Sequence, residues 1–187
     1  MRSRLSSLSV GLFVLGLFVQ DAPAADMTTE VVIDLLRVAS PKNPPDLAGK
    51  DLARLDLAGA DFKRANLARA NLAGANLAGA NLFGANLSRA NLSNADMAAD
   101  MRNQPMGLMR VFLTSADLTG ANLTGANLAR GDLSFANLSK ADLTGANMLG
   151  ADLSGANLEG AIFRSIRGRG EMKGLDTAKN VDKAIFE

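Results

Sequence analysis

Residues 65–84 read ANLAR-ANLAG-ANLAG-ANLFG, four consecutive copies of a five-residue unit, Ala-(Asn/Asp)-Leu-x-x. The unit recurs from Ala65 to Met97 and again from Ala116 to Leu158. On an α-helix each unit would advance by about 140°, so the leucines would circle the axis. On a strand, an odd period sends successive leucines to opposite faces. The chain must therefore turn a corner at every unit, and the sequence predicts a solenoid whose leucines share one interior.

The composition of the unit suits such a corner. Ala and Leu are two positions apart, so both point inward from an extended segment, while the Asn or Asp between them points to solvent. The last two positions are mostly Ser, Thr, Ala, Gly, Arg or Lys, which suit a tight turn where Gly relieves any positive φ. We therefore expect an interior of Ala and Leu, and we interpret the outward Asn and Asp columns as solvated hydrogen-bonding ladders.

This pattern, sustained over residues 44–165, resembles the pentapeptide-repeat family in its Ala-(Asn/Asp)-Leu form, which is common in bacteria. The flanking stretches 44–52 (PPDLAGKDL) and 174–180 (GLDTAKN) are similar to the caps of that family. The resemblance implies an all-β fold, a right-handed quadrilateral β-helix with four units per coil. Twenty-two units up to Phe163 then give about five and a half coils. The family shares a fold more than a function, so the resemblance alone assigns no activity.

The stretch 1–24 reads as a secretory signal peptide. Arg2 and Arg4 precede an apolar stretch, and Ala22-Pro23-Ala24 is a small-residue cleavage site. We expect a Sec-type signal, a mature protein that begins at Ala25, and a location in the bacterial periplasm or outside the cell. An uncleaved anchor is the alternative, but the apolar run is short for a membrane span, so no stable membrane insertion is expected after cleavage. The chain has no Cys, so disulfides play no part in its stability there.

The remaining chain divides into a cap, the repeats and a second cap. Residues 25–43 are expected to form the N-terminal cap and linker, with a helix from Thr28, its N-cap, to Ala39. The repeats occupy residues 44–165, with a loop insert at 98–110, and residues 166–187 are predicted to be a C-terminal cap with a short helix. The N-terminal helix should cover the first coil with one apolar face, made of Val31, Val32, Leu35, Leu36 and Ala39.

The insert is the first place where function is expected. Met97 and Leu113 are the central residues of two successive units, but the step between them is more than three times the usual one. Interruptions of a strict repeat often map to a loop on the binding face, and methionine adapts to varied partners. The alternative is that the loop folds back and buries its own apolar side chains. The candidate interaction residues of the insert are Met101, Arg102, Met106, Leu108 and Met109.

Three phenylalanines depart from the outward polar rule: Phe83, Phe112 and Phe135. If four units make a coil and the insert takes no unit of its own, the units of all three stack on one face. We therefore hypothesise an external apolar patch beside the insert, either covered by the insert or shared with a partner. If Ala99-Asp100-Met101 forms a unit, this alignment fails.

Catalytic and metal-binding chemistry is weakly indicated. The chain has no His or Cys, so the commonest general base, thiol nucleophiles and typical zinc sites are absent. Asp132 and Asp152 should stack one coil apart, at about 5 Å, a separation found between the carboxyl groups of retaining glycosidases. Any solenoid with Asp at this position produces the same spacing, so an envelope hydrolase is the least favoured interpretation. We predict no enzyme, no cofactor and no metal.

Charge gives little support to a nucleic-acid partner. Arg69, Arg89 and Lys140 share a face in the same register and could contact an anion, but Asp and Gly interrupt the stripe, which favours a solvated surface. The formal net charge is +1. Residues 46–163 contain 11 acidic and 10 basic residues.

The sequence therefore predicts a secreted, non-enzymatic solenoid that acts as a protein-interaction or structural surface. Its protein partner is unidentified, and a homodimer through the rod ends is a further expectation. The resemblance supplies one alternative, because some cytosolic relatives mimic duplex DNA and bind DNA gyrase. The signal peptide and the balanced charge of the repeats argue against that alternative.

Overall fold

The computed structural model describes residues 27–40, 42–98 and 110–187 as a rod of stacked coils. One α-helix, α1 (Thr29–Val38), precedes the coils, and two 3₁₀ helices, Arg169–Glu171 and Val181–Lys183, lie near the C-terminus. The coils are held by single-residue parallel bridges in place of longer strands. Where the repeat is unbroken, each bridge joins a unit to the fourth unit after it, as Asp46 pairs with Asn66, so four units complete one coil.

The bridges sort the outward Asn and Asp positions into four faces. Faces 1 and 2 have seven bridged levels, and faces 3 and 4 have six. Face 1 contains Asp46, Asn66, Asn86, Asp117, Asn137, Asn157 and Lys179. Face 2 contains Asp51, Asn71, Asn91, Asn122, Asp142, Ile162 and Ile185. Face 3 contains Asp56, Asn76, Asp96, Asn127, Asn147 and Arg167. Face 4 contains Asp61, Asn81, Phe112, Asp132, Asp152 and Lys173.

The interior is apolar along the whole repeat region. The central residues and the small residues two positions before them are buried, as Leu67 and Ala65 illustrate. No polar or charged side chain of the described residues is buried. Each fully buried leucine contributes about 1.5–3 kcal/mol relative to exposure, so the predicted inward and outward alternation accounts for most of the stability of the rod.

In the described turns, each unit turns its corner with a residue at positive φ. In the unit of Leu67, the N–H of Ala70 donates to the carbonyl of Leu67 (3.0 Å), and Arg69 has φ 60°. A left-handed third residue is what a type II turn requires. Gly occupies this position in many units, as predicted, yet Arg69 and Phe135 adopt it as well.

Helix α1 confirms the predicted helix but not its predicted apolar face. Thr28 is the N-cap, and its Oγ1 accepts a hydrogen bond from the N–H of Val31 (3.4 Å). Val32 is buried against the first coil, and Ile33 and Leu36 pack beside it. Val31 and Leu35, which were expected on the buried face, are exposed. The helix is apolar on most of its circumference, so its sequence pattern does not determine which side packs against the first coil.

The C-terminal segment differs from the predicted cap with a helix. Residues 166–187 form the two 3₁₀ helices and continue the parallel bridges, the last of which joins Ile162 to Ile185. The rod therefore extends past the predicted five and a half coils. The bridged positions after Arg167 are spaced more widely than the repeat unit, at Lys173, Lys179 and Ile185, and this longer spacing hides them from a five-residue pattern. The rings of Phe163 and Phe186 stack with centroids 4.9 Å apart and close this end of the interior.

A candidate interaction surface on face 4

The register across the insert decides which residues meet on face 4. Asn81 bridges to Phe112, on the far side of the insert, and Asn86 bridges to Asp117. The extra residues of the insert therefore add no level to the rod. The last bridged position before the insert is Asp96 on face 3 and the first after it is Phe112 on face 4, so the insert is joined to the rod at the corner between these faces. The three phenylalanine units share face 4, as the hypothesis required.

The other faces show what face 4 lacks. On face 2, Asn71 Nδ2 donates to Asp51 Oδ1 (2.9 Å), and Asn91 Nδ2 donates to Asn71 Oδ1 (3.1 Å). Each Asn thus donates to the side chain one coil earlier, and the column forms a ladder of amide hydrogen bonds. On face 4 this ladder has one step, from Asn81 to Asp61 (2.9 Å), and then meets Phe112. Phe112 is the only aromatic residue at a bridged position in the described parts of the chain.

Phe83 and Phe112 form a shallow apolar groove on face 4. They line a cavity of about 330 Å³ together with Lys63, Gly79 and Asn81. Phe83 is 39% exposed and Phe112 is 38% exposed. Gly79 lies at the corner between faces 3 and 4, the same corner at which the insert joins the rod one coil later.

Two cations flank the aromatic pair. Lys63 Nζ lies 5.6 Å from the centre of the Phe83 ring, and Arg110 Cζ lies 5.4 Å from the centre of the Phe112 ring. Arg110 Nη2 is also 3.4 Å from Asp132 Oδ2. Exposed cation–π contacts contribute about 0.5–1 kcal/mol each. Contacts between cations, rings and Asp132 therefore extend over four coils of face 4, beside the single amide step between Asn81 and Asp61.

The structure separates the other candidate residues from this groove. Phe135 is 67% exposed and lies at the turn position of its unit, next to Gly155 of the following coil, so it does not line the groove. Lys63 was missed by the sequence analysis, although it precedes Phe83 by the length of one coil. Met101, Arg102, Met106, Leu108 and Met109 lie outside the described residues.

Asp132 and Asp152 do stack on neighbouring levels of face 4, but their surroundings do not suit acid catalysis. Asp152 Oδ1 accepts hydrogen bonds from Ser154 Oγ (2.6 Å) and from the N–H of Ser154 (2.9 Å). The Ser154 hydroxyl is the main reason why the pKa of Asp152 is lowered from its usual value. Ser134 donates to Asp132 in the same way. A glycosidase needs one carboxyl group with a raised pKa as general acid, and Asp152 is shifted in the opposite direction.

Within residues 27–40, 42–98 and 110–187, no group of three or more acidic side chains is arranged to hold a metal ion. In the same parts of the chain, no helix has the length and apolar character needed to cross a membrane.

Comparison with known proteins identifies the repeat. The sequence model of the family described as pentapeptide repeats matches eight copies, over residues 60–97, 108–134 and 128–164. HetL, a pentapeptide repeat protein involved in heterocyst differentiation regulation in Nostoc sp. strain PCC 7120, is 36% identical with a TM-score of 0.46. The match covers 75% of this chain and spans 63% of the length of HetL.

Two other solved structures are similar. Rfr23 from Cyanothece 51142 is 26% identical with a TM-score of 0.52, and the match covers 76% of this chain and 91% of Rfr23. A pentapeptide repeat protein of the Arabidopsis thaliana thylakoid lumen is 32% identical with a TM-score of 0.37, covering 68% of this chain and 74% of that one. Curated proteins gave no significant match.

Proposed function

Since the chain belongs to the pentapeptide-repeat family, we propose that it is a non-enzymatic rod that presents face 4 as a rigid surface to a protein partner. The observation that carries this proposal is the exposed aromatic pair Phe83 and Phe112, in which Phe112 stands at a bridged position that carries Asn or Asp in most units and Phe83 stands at a turn position. Aromatic side chains in desolvated pockets are frequent energetic anchors of interfaces. The coils hold both rings on a preformed backbone, which lowers the ordering cost of binding.

The flanking cations narrow the chemistry of the partner. Lys63 and Arg110 lie at the two ends of the aromatic pair. Complementary charge favours the correct partner and speeds association. The groove therefore suits a protein segment with an apolar side chain between acidic residues.

We place this activity in the bacterial periplasm or outside the cell. The support is the sequence of residues 1–24, with two arginines, an apolar stretch and a small-residue cleavage site. Expression of the full chain followed by intact-mass measurement of the exported protein tests the placement. A mass corresponding to a start at Ala25 is expected, and retention of residues 1–24 would contradict it.

A quantitative pull-down from the envelope fraction of the native host tests the interaction. One bait is the wild-type protein and another carries Phe83→Ala and Phe112→Asn, which are residues that the repeat itself uses at these positions. Leu149→Ala is the matched control, because Leu149 is an exposed apolar residue of a face 3 unit. We expect at least tenfold less partner on the double variant and no change on the control. Equal recovery on all three baits would contradict the role of face 4.

A fourth bait separates the groove from the insert. It replaces residues 98–109 with a short Gly-Ser link and keeps Arg110 and both phenylalanines. Because the groove is lined by described residues on both sides of the insert, we expect this bait to keep most of the partner. Loss of the partner from this bait alone would move the contact from the groove to the insert.

The balanced charge of the repeats argues against the alternative that this protein mimics duplex DNA and binds gyrase. Residues 46–163 carry 11 acidic and 10 basic residues, whereas a surface that imitates duplex DNA needs a dense negative charge. We expect excess protein to leave gyrase supercoiling unchanged in a gel assay. Inhibition at stoichiometric protein would favour the DNA-mimic alternative over ours.

A further inference from the structure

The outer side of α1 is apolar where a terminal cap is expected to be polar. Val31, Leu35 and Val38 follow one another at i, i+4 and i+7, so they form one stripe along the helix. They are 42%, 37% and 74% exposed, respectively. Val32, on a different side of α1, is the residue that seats the helix on the first coil. The stripe is thus not needed to hold α1 in place.

The stripe borders a cleft at the N-terminal end of the rod. Leu35 and Val38 form one wall of a cavity of about 610 Å³. Pro44, Pro45 and residues of the first solenoid turn form much of the rest, namely Asp46, Leu47, Ala48 and Lys50. An apolar helix that packed on the stripe would therefore contact both α1 and the first coil.

The charges of α1 are complementary to those of a second α1 in the opposite direction. Glu30, Asp34 and Arg37 share one flank of the stripe, and Arg37 Nη1 lies 3.1 Å from Asp34 Oδ1. In an antiparallel pair the same flanks of the two helices meet, so Arg37 of each copy comes between Glu30 and Asp34 of the other, and the two Asp34 residues, each paired with its own Arg37, lie on either side of the two-fold axis. The apolar residues match as well, because Val31 of one copy then faces Val38 of the other. A surface that is complementary to itself is what a two-fold dimer requires.

We propose that two copies of this chain associate through their N-terminal ends, with the α1 helices antiparallel and the two-fold axis beside Asp34 and Leu35. A helix of this length, Thr29–Val38, extends about 15 Å, so this interface is smaller than a standard one of about 1,600 Å². We therefore expect a dissociation constant in the micromolar range. Face 4 takes no part in the contact, so this inference is independent of the proposed function.

Analytical ultracentrifugation of the exported protein, at concentrations of about 1–300 μM that bracket a micromolar dissociation constant, tests the dimer. Wild-type protein should approach twice the monomer mass, and Leu35→Glu and Val38→Glu should each raise the dissociation constant at least tenfold. Phe135→Glu is the matched control, since Phe135 is about as exposed as Val38 but lies in the middle of the rod. Circular dichroism of each variant verifies that it folds. A monomer at every concentration would overturn the proposal, and so would an equal effect of Phe135→Glu, which would indicate unspecific apolar association.

Single cysteines test the geometry, because the chain has none of its own. Leu35→Cys lies near the proposed two-fold axis, so mild oxidation should link two copies. Glu30→Cys should stay largely unlinked, since its two copies would be about 14 Å apart along the helix axis and a disulfide needs Cα atoms within about 7 Å. Equal linking at both positions would overturn the antiparallel arrangement, and the loss of the Leu35→Cys link in the Val38→Glu background would support it.

Discussion

At the residue scale, Asn and Asp have different tasks although the repeat accepts either. An Asn can donate to the coil before it and accept from the coil after it, whereas an ionised Asp only accepts. All four bridged positions of the first coil are Asp, and each accepts from the Asn of the second coil. Later in the rod, several Asp residues are followed two positions on by a hydroxyl that donates to the carboxylate at 2.6 Å: Asp117, Asp132, Asp142 and Asp152.

Ser154→Ala tests whether this hydroxyl keeps its carboxylate ionised. The substitution removes the main cause of the lowered pKa of Asp152, so that pKa should rise toward its ordinary value. A group with a lowered folded pKa adds stability above its unfolded pKa and loses that contribution as the pH falls through the folded pKa. We expect a loss of about 1–2 kcal/mol at pH 7 and a smaller loss at pH 2. Urea unfolding at both pH values and an NMR titration of the carboxyl carbon measure the effect.

A control shows whether the effect depends on charge. Ser88→Ala removes a similar hydroxyl from Asn86, whose amide oxygen accepts it at 2.7 Å. Asn has no titrating group in this range, so its destabilisation should be the same at both pH values. A Ser154→Ala effect that is equally independent of pH would contradict our explanation.

At the scale of elements, the turns of successive coils fit together by size. The large residues at the positive-φ position often lie against a Gly at the same position one coil later. The side chains of Arg54, Arg64 and Phe135 lie next to the positions that a Cβ would take on Gly74, Gly84 and Gly155, respectively. In the interior, Val111 likewise lies above Gly131, where a Cβ would be 3.1 Å from Val111 Cγ1. A large residue that departs from the repeat is therefore paired with a Gly in the next coil, which leaves room for its side chain.

Gly155→Ala tests the packing of Gly155 against the Phe135 ring of the coil before it. Its Cβ would lie 2.7 Å from the Phe135 ring, and its φ is +66°. We expect a destabilisation of about 2–3 kcal/mol, the sum of overpacking and a left-handed backbone, measured by urea unfolding. In the Phe135→Ala background the same substitution should cost only about 1 kcal/mol.

Gly49→Ala isolates the backbone cost, because Gly49 has φ +67° and no atom within 4 Å of an added Cβ. It should match the cost of Gly155→Ala in the Phe135→Ala background. An equal cost of Gly155→Ala with and without the Phe135 ring would show that the two coils do not constrain each other there.

At the scale of the whole molecule, the rod is a sum of coils that contact only their neighbours, so a complete coil can be removed without changing the rest. Deletion of residues 117–136 removes one full coil of four units and joins Ala116 to Asn137 in the same register. We expect a folded, cooperative protein whose urea m-value falls by about one sixth, in proportion to the surface that unfolding exposes. Deletion of residues 117–135 is the control, because it leaves one residue too many for the register, shifts the units that follow and should prevent a folded rod. Unfolding of both deletions, seen by circular dichroism, would contradict the modular description.

Much of this fold is predictable from the sequence because every five-residue unit has the same local structure, with inward Ala and Leu, an outward Asn or Asp and a turn. The buried central residues and the α1 boundaries near Thr28 and Val38 follow from such local signals. The continuation to Ile185 does not, since its units are longer and have Arg167, Lys173 and Lys179 at bridged positions. The side on which α1 packs is likewise set by tertiary contacts, because Val31, Val32 and Ile33 are all apolar.

The candidate site was predictable only in part. The stacking of the phenylalanine units depended on whether the insert adds a level, and this is decided by the pairing of Asn81 with Phe112. The sequence pattern grouped Phe135 with the other two rings, but Phe135 lies two coils after Phe83, at the second turn position of its unit, and does not line the groove. The contacts of Lys63 with Phe83 and of Arg110 with Asp132 were not foreseen, because they cross between coils.

The amide ladder also has a direction along the chain. In the long column of face 2, Asn71, Asn91 and Asn122 each donate to an acceptor that was synthesised earlier, and the column begins at Asp51, which needs no donor before it. A chain that emerges from the ribosome or from a translocation pore with its N-terminus first therefore always presents a finished acceptor row to the next segment. The ladder bond of a new coil can therefore form as soon as that coil packs, whereas backbone N–H groups such as that of Leu67 donate to the following coil and are satisfied only when it arrives. The growing end of the rod thus carries side-chain acceptors and backbone donors that await the next coil.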